Sequence, residues 1–169
     1  MKEIQLTQGK VAIVDDEDFE RLNQHKWCAR FDGWNWYALR ECSIGNSKAK
    51  TVLMHREIMN APKGIQVDHC SGNGLDNRKK NLRLCTHQQN HFNKNHARRD
   101  NKLGIKGVCW NKEHKIFHAQ ISINKKVIHL GYFTVLADAD QAYRVAELKY
   151  FGEFAREETK KLYQMALAG

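Results

Sequence analysis

The stretch from Gln66 to Asn90 constrains the fold most, because it fits two short strands and the start of a helix around one polar loop. A short run, QVDH, leads into the polar segment CSGNGLDNRKK, and a second run, NLRLC, ends just before Thr86. Thr86 with Gln89 three residues later forms a capping box, a pattern typical of a helix start. The order strand, strand, helix predicts a ββα unit at about residues 66–95 in a protein of the α+β class.

The segments on either side of this unit predict small sheets. Residues 4–14 alternate loosely and indicate a hairpin that turns at Gln8-Gly9, and the aromatic runs WCARF and WNWYALR indicate a second hairpin. Further on, KIFHAQISIN alternates strictly between KGVCWN and KVIHLGYF, and a helical period follows from about 136 to 150. The chain therefore combines a β-rich N-terminal extension with a later three-stranded sheet and helix.

These patterns predict a division into two domains. The predicted parts are a first domain at 1–95, a basic linker at 96–103, a sheet-and-helix domain at 104–155 and a C-terminal helix at 156–169. The linker assignment depends on HFNKNHARRDNKLG, which is basic and has no hydrophobic period.

Positive charge is concentrated in one part of the chain. The formal net charge is +9, and residues 78–129 contain thirteen Lys or Arg but only two acidic residues, Asp100 and Glu113. Such a block favours a polyanionic partner, because neutralising a phosphate releases condensed counterions. The alternative is a basic surface that is merely solvated.

Other features of the sequence indicate the cellular compartment and the state of the cysteines. No apolar run approaches the roughly 20 residues that span a bilayer, and the first ten residues lack the apolar core of a signal peptide. We therefore expect no membrane association and a cytoplasmic protein of a bacterial or phage-infected cell. The five cysteines contain no CxxC pair and predict reduced thiols. A structural zinc site is not expected, because paired-ligand spacing is absent; its ligands would be drawn from Cys70, Cys85, His87 and His91.

The adjacent residues Asp68 and His69 suggest hydrolytic chemistry. On a strand their side chains point to opposite faces, so that one can bind a metal ion while the other activates water. Phosphodiester hydrolysis needs such a base and such an ion. Asn81 opens the second strand, and Asn90 lies one turn into the capped helix.

The segment VDHCSGNGLDNRKKNLRLCTHQQN resembles the HNH endonucleases of the phage and intron homing type, and HREIMNAPKG resembles their lead-in. The resemblance implies a ββα-metal nuclease core in which His69 is the general base and Asn81 orients its imidazole. It implies that Asp68 and Asn90 bind one divalent ion, Mg²⁺ or alternatively Mn²⁺. His91 is a reserve ligand, and Arg83 is expected to contact a phosphate.

The later segments GVCW, FHAQI, HLGYF and ADADQAYRVAELKYFGEFA resemble the plant ethylene-response (Apetala-two) DNA-binding domain. Such domains place their sheet in the major groove, so the solvent face is expected to contact DNA. The residues expected on that face are Lys106, Trp110, Lys112, His118, Gln120, Lys126 and His129. The face has little arginine, which weakens the expectation of sequence-specific binding, and the alternative is a sheet that only packs on the nuclease.

Together these features predict a metal-dependent endonuclease that nicks or cleaves double-stranded DNA, acting as a monomer or weak dimer. The resemblance implies 5′-phosphate and 3′-hydroxyl products. Two rival functions remain open at this point. One is a DNA-binding regulator with a decayed nuclease core, and the other is a phage-encoded inhibitor or assembly factor.

Overall fold

A computed structural model of the chain describes residues 1–43, 45, 49–94, 96–97 and 100–168. The chain divides into two compact units, Met1–Asn90 and His91–Gly169. Strands and helices are mixed along the sequence, so the α+β class is confirmed. Within the described part of the chain, no helix is both long enough and apolar enough to span a membrane. Arg98 and Arg99 of the predicted linker lie outside the described residues.

The first unit contains three small antiparallel sheets. Its strands are β1 (Lys2–Gln5), β2 (Val11–Val14), β3 (Cys28–Phe31), β4 (Trp36–Ser43), β5 (Ala49–Leu53), β6 (Gln66–His69) and β7 (Leu82–Cys85). They pair as β1-β2, β3-β4-β5 and β6-β7. The helices are α1 (Asp16–Asn23), α2 (Met54–Ile58) and α3 (His87–Phe92), the last of which runs across the boundary between the units.

Apolar side chains from these separate sheets form the core of the first unit. Ile4, Val14 and Leu22 are almost fully buried, and Trp27 is buried among them while its indole Nε1 donates to the carbonyl of Leu22 at 2.8 Å. Val67 of β6 joins the same cluster. The core therefore anchors β6, the strand that carries Asp68 and His69.

The second unit is one three-stranded antiparallel sheet covered by a helix. Its elements are β8 (Val108–Asn111), β9 (Ile116–Ile123), β10 (Lys126–Phe133), α4 (Leu136–Phe151) and α5 (Glu157–Ala168), and the strand order is β10-β9-β8. Ala119 and Ile121 of β9 are buried in one cluster with Ala139 and Tyr143 of α4. The strict alternation read in β9 is thereby confirmed, since its apolar residues pack with the residues of α4.

A buried polar network joins α4 to the start of α5. Glu147 is completely buried, accepts hydrogen bonds from Nε of Arg156 at 2.8 and 3.0 Å, and accepts one from the hydroxyl of Thr159 at 2.7 Å. A charge this deep in a protein is stable only when it is paired and hydrogen-bonded. The network therefore fixes where α5 begins.

Candidate active site and nucleic-acid interface

The pairing of β6 with β7 sorts the candidate side chains onto two faces of a small sheet. Asp68 pairs with Arg83 and His69 pairs with Leu82. Because paired residues share a face and neighbouring residues do not, Asp68 and Arg83 lie on one face and His69 on the other. The register thus separates a carboxylate from an imidazole across one strand.

Asp68 forms a cross-strand ion pair with Arg83. The guanidinium donates from Nε at 2.8 Å and from Nη2 at 2.6 Å to Oδ2 of Asp68, and the two side chains are 15% and 6% exposed. Residues directly opposite in an antiparallel pair have neighbouring Cβ atoms, so the strand register itself forms this contact. Sequence analysis assigned Arg83 to a phosphate; the structure instead places its guanidinium on Asp68.

Asn90 reaches the same face from α3. The predicted capping box is confirmed, since Thr86 N–H donates to Oε1 of Gln89 at 2.8 Å and Gln89 N–H donates to Oγ1 of Thr86 at 3.2 Å. With the helix start fixed there, Nδ2 of Asn90 donates to Oε1 of Gln66 at 2.7 Å. Gln66 and Asp68 are two residues apart on β6 and share a face. The helix therefore brings Asn90 to the face that carries the carboxylate.

Asp68 and Asn90 offer the oxygen donors that hard divalent cations prefer, a carboxylate and an amide carbonyl. Mg²⁺ is usually held by only one or two carboxylates, with water and substrate phosphate completing its coordination. Among the described residues, no three His, Cys, Asp or Glu side chains are gathered closely enough to hold a metal ion. This donor set therefore fits a cation that leaves most of its coordination positions to water and phosphate.

His69 lies buried among aromatic rings. It is 5% exposed, its ring contacts that of His55 edge-on at 4.9 Å between centroids, and the ring of Tyr37 is 5.8 Å away. Burial lowers the pKa of His69, although Asn77 and the carboxylates of Asp68 and Asp76 act in the opposite direction. The imidazole is therefore neutral near pH 7, which is the form that can accept a proton.

His55, from α2, is a site residue that sequence analysis missed. It is 7% exposed, and its Nδ1 is buried without a hydrogen-bond partner. Burial, together with the nearby His69 and Arg56, lowers its pKa to about 3. The only sequence signal was its place in HREIM, the segment resembling the family's lead-in. His55 is a neutral ring against the face of the candidate base.

Asn81 holds the loop between the two strands. Its Oδ1 accepts from Ser71 N–H at 2.9 Å, its Nδ2 donates to the carbonyl of Asp76 at 2.7 Å, and its backbone carbonyl accepts from Cys70 N–H at 2.8 Å. The sequence predicted that Asn81 orients the imidazole of His69. In the structure its amide is occupied by loop backbone, and the amide beside the imidazole is that of Asn77.

The same loop is seated against β4. Nδ2 of Asn35 donates to the carbonyl of Gly72, and its Oδ1 accepts from Gly74 N–H at 3.4 Å. A Cβ on Gly74 would lie 2.7 Å from ring atoms of Tyr37, closer than real contacts of this type. Gly74 thus lets the loop approach the strand, and this approach fixes the residues that follow His69.

The sheet of the second unit has one face open to solvent, the face turned away from Ala119 and Ile121. His118 and Gln120 of β9 point to it, and His129 of β10 pairs with Gln120. Nε2 of His118 lies 2.6 Å from Nδ1 of His129, and the ring of Tyr132 lies 4.6 Å from that of His129 and 5.1 Å from that of His118. Three of the predicted DNA-contacting residues are therefore brought together.

The other predicted contacts lie elsewhere. Trp110 pairs with Phe117 and packs on its ring at 4.7 Å, so it faces the helix side of the sheet although it is 41% exposed. Lys126 pairs with Ile123 at the end of the β9-β10 hairpin, and Lys112 lies in the turn before β9; both are exposed. These two lysines lie at the edges of the sheet rather than on its open face.

Lys106 is turned away from solvent. Its Nζ donates to the backbone carbonyls of His91, Phe92 and Lys94 at 3.3, 2.6 and 3.0 Å. Burial lowers its pKa to about 8. In the structure its ammonium group caps the last carbonyls of α3, where a cation also suits the helix dipole. The contact of Lys106 with DNA stays a prediction. His91, the reserve ligand, contributes its carbonyl to this cap within the second unit.

Comparison with known proteins shows which family this chain belongs to. Residues 60–92 match a family model described as HNH endonuclease. A protein of Acanthamoeba polyphaga mimivirus named as an uncharacterized HNH endonuclease, L560, is 35% identical over 148 residues, which cover 87% of this chain and 74% of the relative. Protein 3.8 of Escherichia phage T7 is 30% identical over 95 residues, 56% of this chain and 77% of the relative. Among solved structures, none matches the chain significantly. On this match, and on the strand pair and capped helix inside the matched segment, the chain belongs to the HNH endonucleases, a family of DNA-hydrolysing nucleases.

Proposed function

We propose that this chain nicks or cleaves double-stranded DNA by hydrolysing a phosphodiester bond, with His69 as the general base and one divalent ion held by Asp68 and Asn90. The observation that carries the proposal is the arrangement on β6, which places a buried, neutral imidazole on one face and a carboxylate on the other. Asn90 lies on the same face as Asp68, where it is held by its hydrogen bond to Gln66. These positions support the proposal of a ββα-metal site, which the family resemblance implies.

Hydrolysis of the phosphodiester bond requires a base, a water molecule and a group that stabilises negative charge. His69 takes the proton from a water molecule as the water oxygen attacks phosphorus. The bond from phosphorus to the 3′ oxygen breaks, and the leaving oxygen takes a proton from a solvent water molecule, which leaves a 5′-phosphate and a 3′-hydroxyl end. A bound Mg²⁺ or Mn²⁺ ion would stabilise the charge that develops on the phosphate oxygens. Asp68 would supply a carboxylate ligand, and Arg83 would hold that carboxylate in place.

The second unit is proposed to position the nuclease on duplex DNA, as an Apetala-two-like module. Its support is the three-stranded sheet with a helix behind it, and the polar, ring-bearing open face around His118, Gln120 and His129. Lys112 and Lys126 at the edges of the sheet are suited to phosphates rather than bases. Specificity is proposed to be low, because none of the described residues on this face is an arginine that could read guanine through bidentate contacts. The monomeric state and the cytoplasmic location stay predictions.

A plasmid-nicking assay tests the enzymatic part of the proposal. Supercoiled plasmid is incubated with protein and Mg²⁺ or Mn²⁺, and His69→Ala is compared with His25→Ala, a change at an exposed histidine of the same unit. We expect His69→Ala to slow nicking by about 10²- to 10⁴-fold, the usual contribution of a general base, and to leave DNA affinity in EDTA nearly unchanged. His25→Ala should nick like the original chain.

Two results would reject the proposal. Equal nicking by His69→Ala would show that another group activates the water. Absence of nicking by the original chain with either metal, together with tight DNA binding, would favour a DNA-binding regulator instead.

A further inference from the structure

Asn77 lies within hydrogen-bonding distance of the candidate base, and the inference drawn from it rests on the proposed function of His69. Oδ1 of Asn77 lies 3.3 Å from Nε2 of His69. Asn77 is 1% exposed and His69 is 5% exposed, so water competes little for this contact. In the sequence Asn77 looks like an ordinary residue of a polar loop.

The orientation of the Asn77 amide is fixed by its other end. Nδ2 donates to the carbonyl of Leu75 at 3.2 Å. Turning the amide over would set its oxygen against that carbonyl oxygen, two acceptors with no proton between them. The oxygen of the amide is therefore the atom that faces the imidazole.

The backbone around Asn77 is fixed by β2. Asn77 N–H donates to the carbonyl of Ile13 at 2.8 Å, and Ile13 N–H donates to the carbonyl of Leu75 at 2.9 Å. These two bonds tie both ends of the Leu75–Asn77 segment to a strand whose Ala12 and Val14 are fully buried. Asn77 is thus held by the core of the first unit rather than by the loop alone.

An amide oxygen only accepts hydrogen bonds, so its partner on the imidazole must be a donor. A neutral imidazole has one N–H and one bare nitrogen. If Nε2 carries the proton toward Asn77, the lone pair lies on Nδ1. We infer that Asn77 is a positioning residue that holds His69 in the Nε2–H form, so that Nδ1 is the nitrogen that accepts the proton from water.

The described contacts of Asn81 and His55 differ from this role. The amide of Asn81 is occupied by the backbone of Ser71 and Asp76. His55 contacts the imidazole through ring faces and edges, which restrains the ring plane without selecting a nitrogen. Asn77 is the side chain whose described bond to His69 distinguishes the two nitrogens.

Spectroscopy of the resting protein tests the hydrogen bond without any cleavage. Long-range ¹H–¹⁵N correlation on histidine-labelled protein distinguishes the two neutral forms, and the spectrum of His69→Ala identifies which signals belong to His69. We expect the Nε2–H form in the original chain. An Nδ1–H form would overturn the inference, whether or not the protein nicks DNA.

Kinetics test whether the contact matters for the reaction. Asn77→Leu removes donor and acceptor at similar size, whereas Asn77→Asp keeps an acceptor toward His69. We expect Asn77→Leu to lower the single-turnover nicking rate by about 10- to 100-fold, the usual effect of losing a partner that orients a functional histidine, with DNA affinity unchanged. Asn77→Asp should retain clearly more activity than Asn77→Leu.

A matched control separates orientation of the base from support of the loop. Asn35→Leu removes bonds to Gly72 and Gly74 of the same loop, and none of its described bonds reaches His69. Equal losses in Asn35→Leu and Asn77→Leu would reduce Asn77 to a structural role. Failure of the proposed function would look different, because His69→Ala would then nick as fast as the original chain.

Discussion

The two candidate surfaces of this protein use histidine in opposite environments. In the first unit, His69 and His55 are buried, and burial lowers the pKa of both. In the second unit, His118 and His129 meet on the open face of a sheet, where His129 is exposed. The comparison indicates that burial holds the first pair in the neutral form across the physiological range, whereas the second pair lies on a surface that solvent reaches.

The positively charged side chains of the two units also differ in how far they are buried. In the first unit the cation near the site, Arg83, is held against a buried carboxylate. In the second unit Lys112 and Lys126 are exposed at the ends of the sheet, whereas Lys106 faces inward as a helix cap and Arg156 is buried against Glu147. A site for chemistry requires fixed geometry, whereas a surface that follows a phosphate backbone benefits from mobile, solvated cations.

The largest expected difference between the two regions is in stability. Arg83→Met strips the buried Asp68 carboxylate of its guanidinium partner, and breaking a buried ion pair costs about 3–5 kcal/mol. The matched change Lys126→Met, at an exposed position, should alter stability by about 0.5 kcal/mol or less. Urea unfolding followed by tryptophan fluorescence measures this, because three of the four tryptophans, Trp27, Trp34 and Trp36, lie in the first unit. Similar losses in the two variants would contradict the comparison.

The second expected difference is in how stability responds to pH. In the unfolded chain His55 is protonated below pH 6.5, whereas in the folded chain it stays neutral down to about pH 3. The contribution of neutral His55 to the free energy of unfolding is therefore present above pH 6.5 and is lost as the pH falls. The loss between pH 6.5 and pH 4 is on the order of 3 kcal/mol. His55→Phe keeps a ring and should flatten this dependence. The control, His118→Phe, should leave the pH dependence of first-unit unfolding unchanged; a wild-type slope in His55→Phe would show that His55 does not cause the loss.

The sequence predicted the local parts of this molecule well because they depend on neighbouring residues. The capping box at Thr86 formed as predicted, the alternation of β9 gave its two faces, and the helical period from about 136 gave α4. The Gln8-Gly9 turn joins β1 to β2, with positive φ at both residues. Each of these signals lies within a few residues of the structure that it specifies.

The partners of polar side chains were harder to predict, because they depend on contacts between distant segments. Asn77 becomes the neighbour of His69 only because β2, more than sixty residues earlier, holds its backbone through Ile13. Lys106 faces inward because the end of α3 offers it three carbonyls. Arg83 meets Asp68 through strand register, which the sequence suggested but did not specify. Composition and periodicity carry no information about such pairings.

The smallest expected effect concerns DNA affinity on the open sheet face. The neighbours of His118 and His129 on this face are Cys109, Gln120 and Tyr132, and none of them is an acidic or basic residue, so a proton on His118 adds positive charge to the face. Burial lowers the pKa of His118, and the neighbouring His129 lowers it further, so His118 gains a proton only below the usual range of histidine. Lowering the pH from 7.5 to below that range should tighten binding to a duplex by roughly threefold to tenfold, the scale of one added phosphate contact.

Fluorescence anisotropy in EDTA, which prevents cleavage, measures this effect. The double variant His118→Gln/His129→Gln should lose the pH dependence while retaining the affinity of the original chain at pH 7.5, because glutamine keeps hydrogen-bonding groups but cannot be protonated. Protonation of other histidines would raise affinity in both proteins alike. The difference between the two proteins therefore isolates the sheet: if their affinities rise in parallel, the open face does not contact phosphate, and the second unit holds DNA through the lysines at its edges.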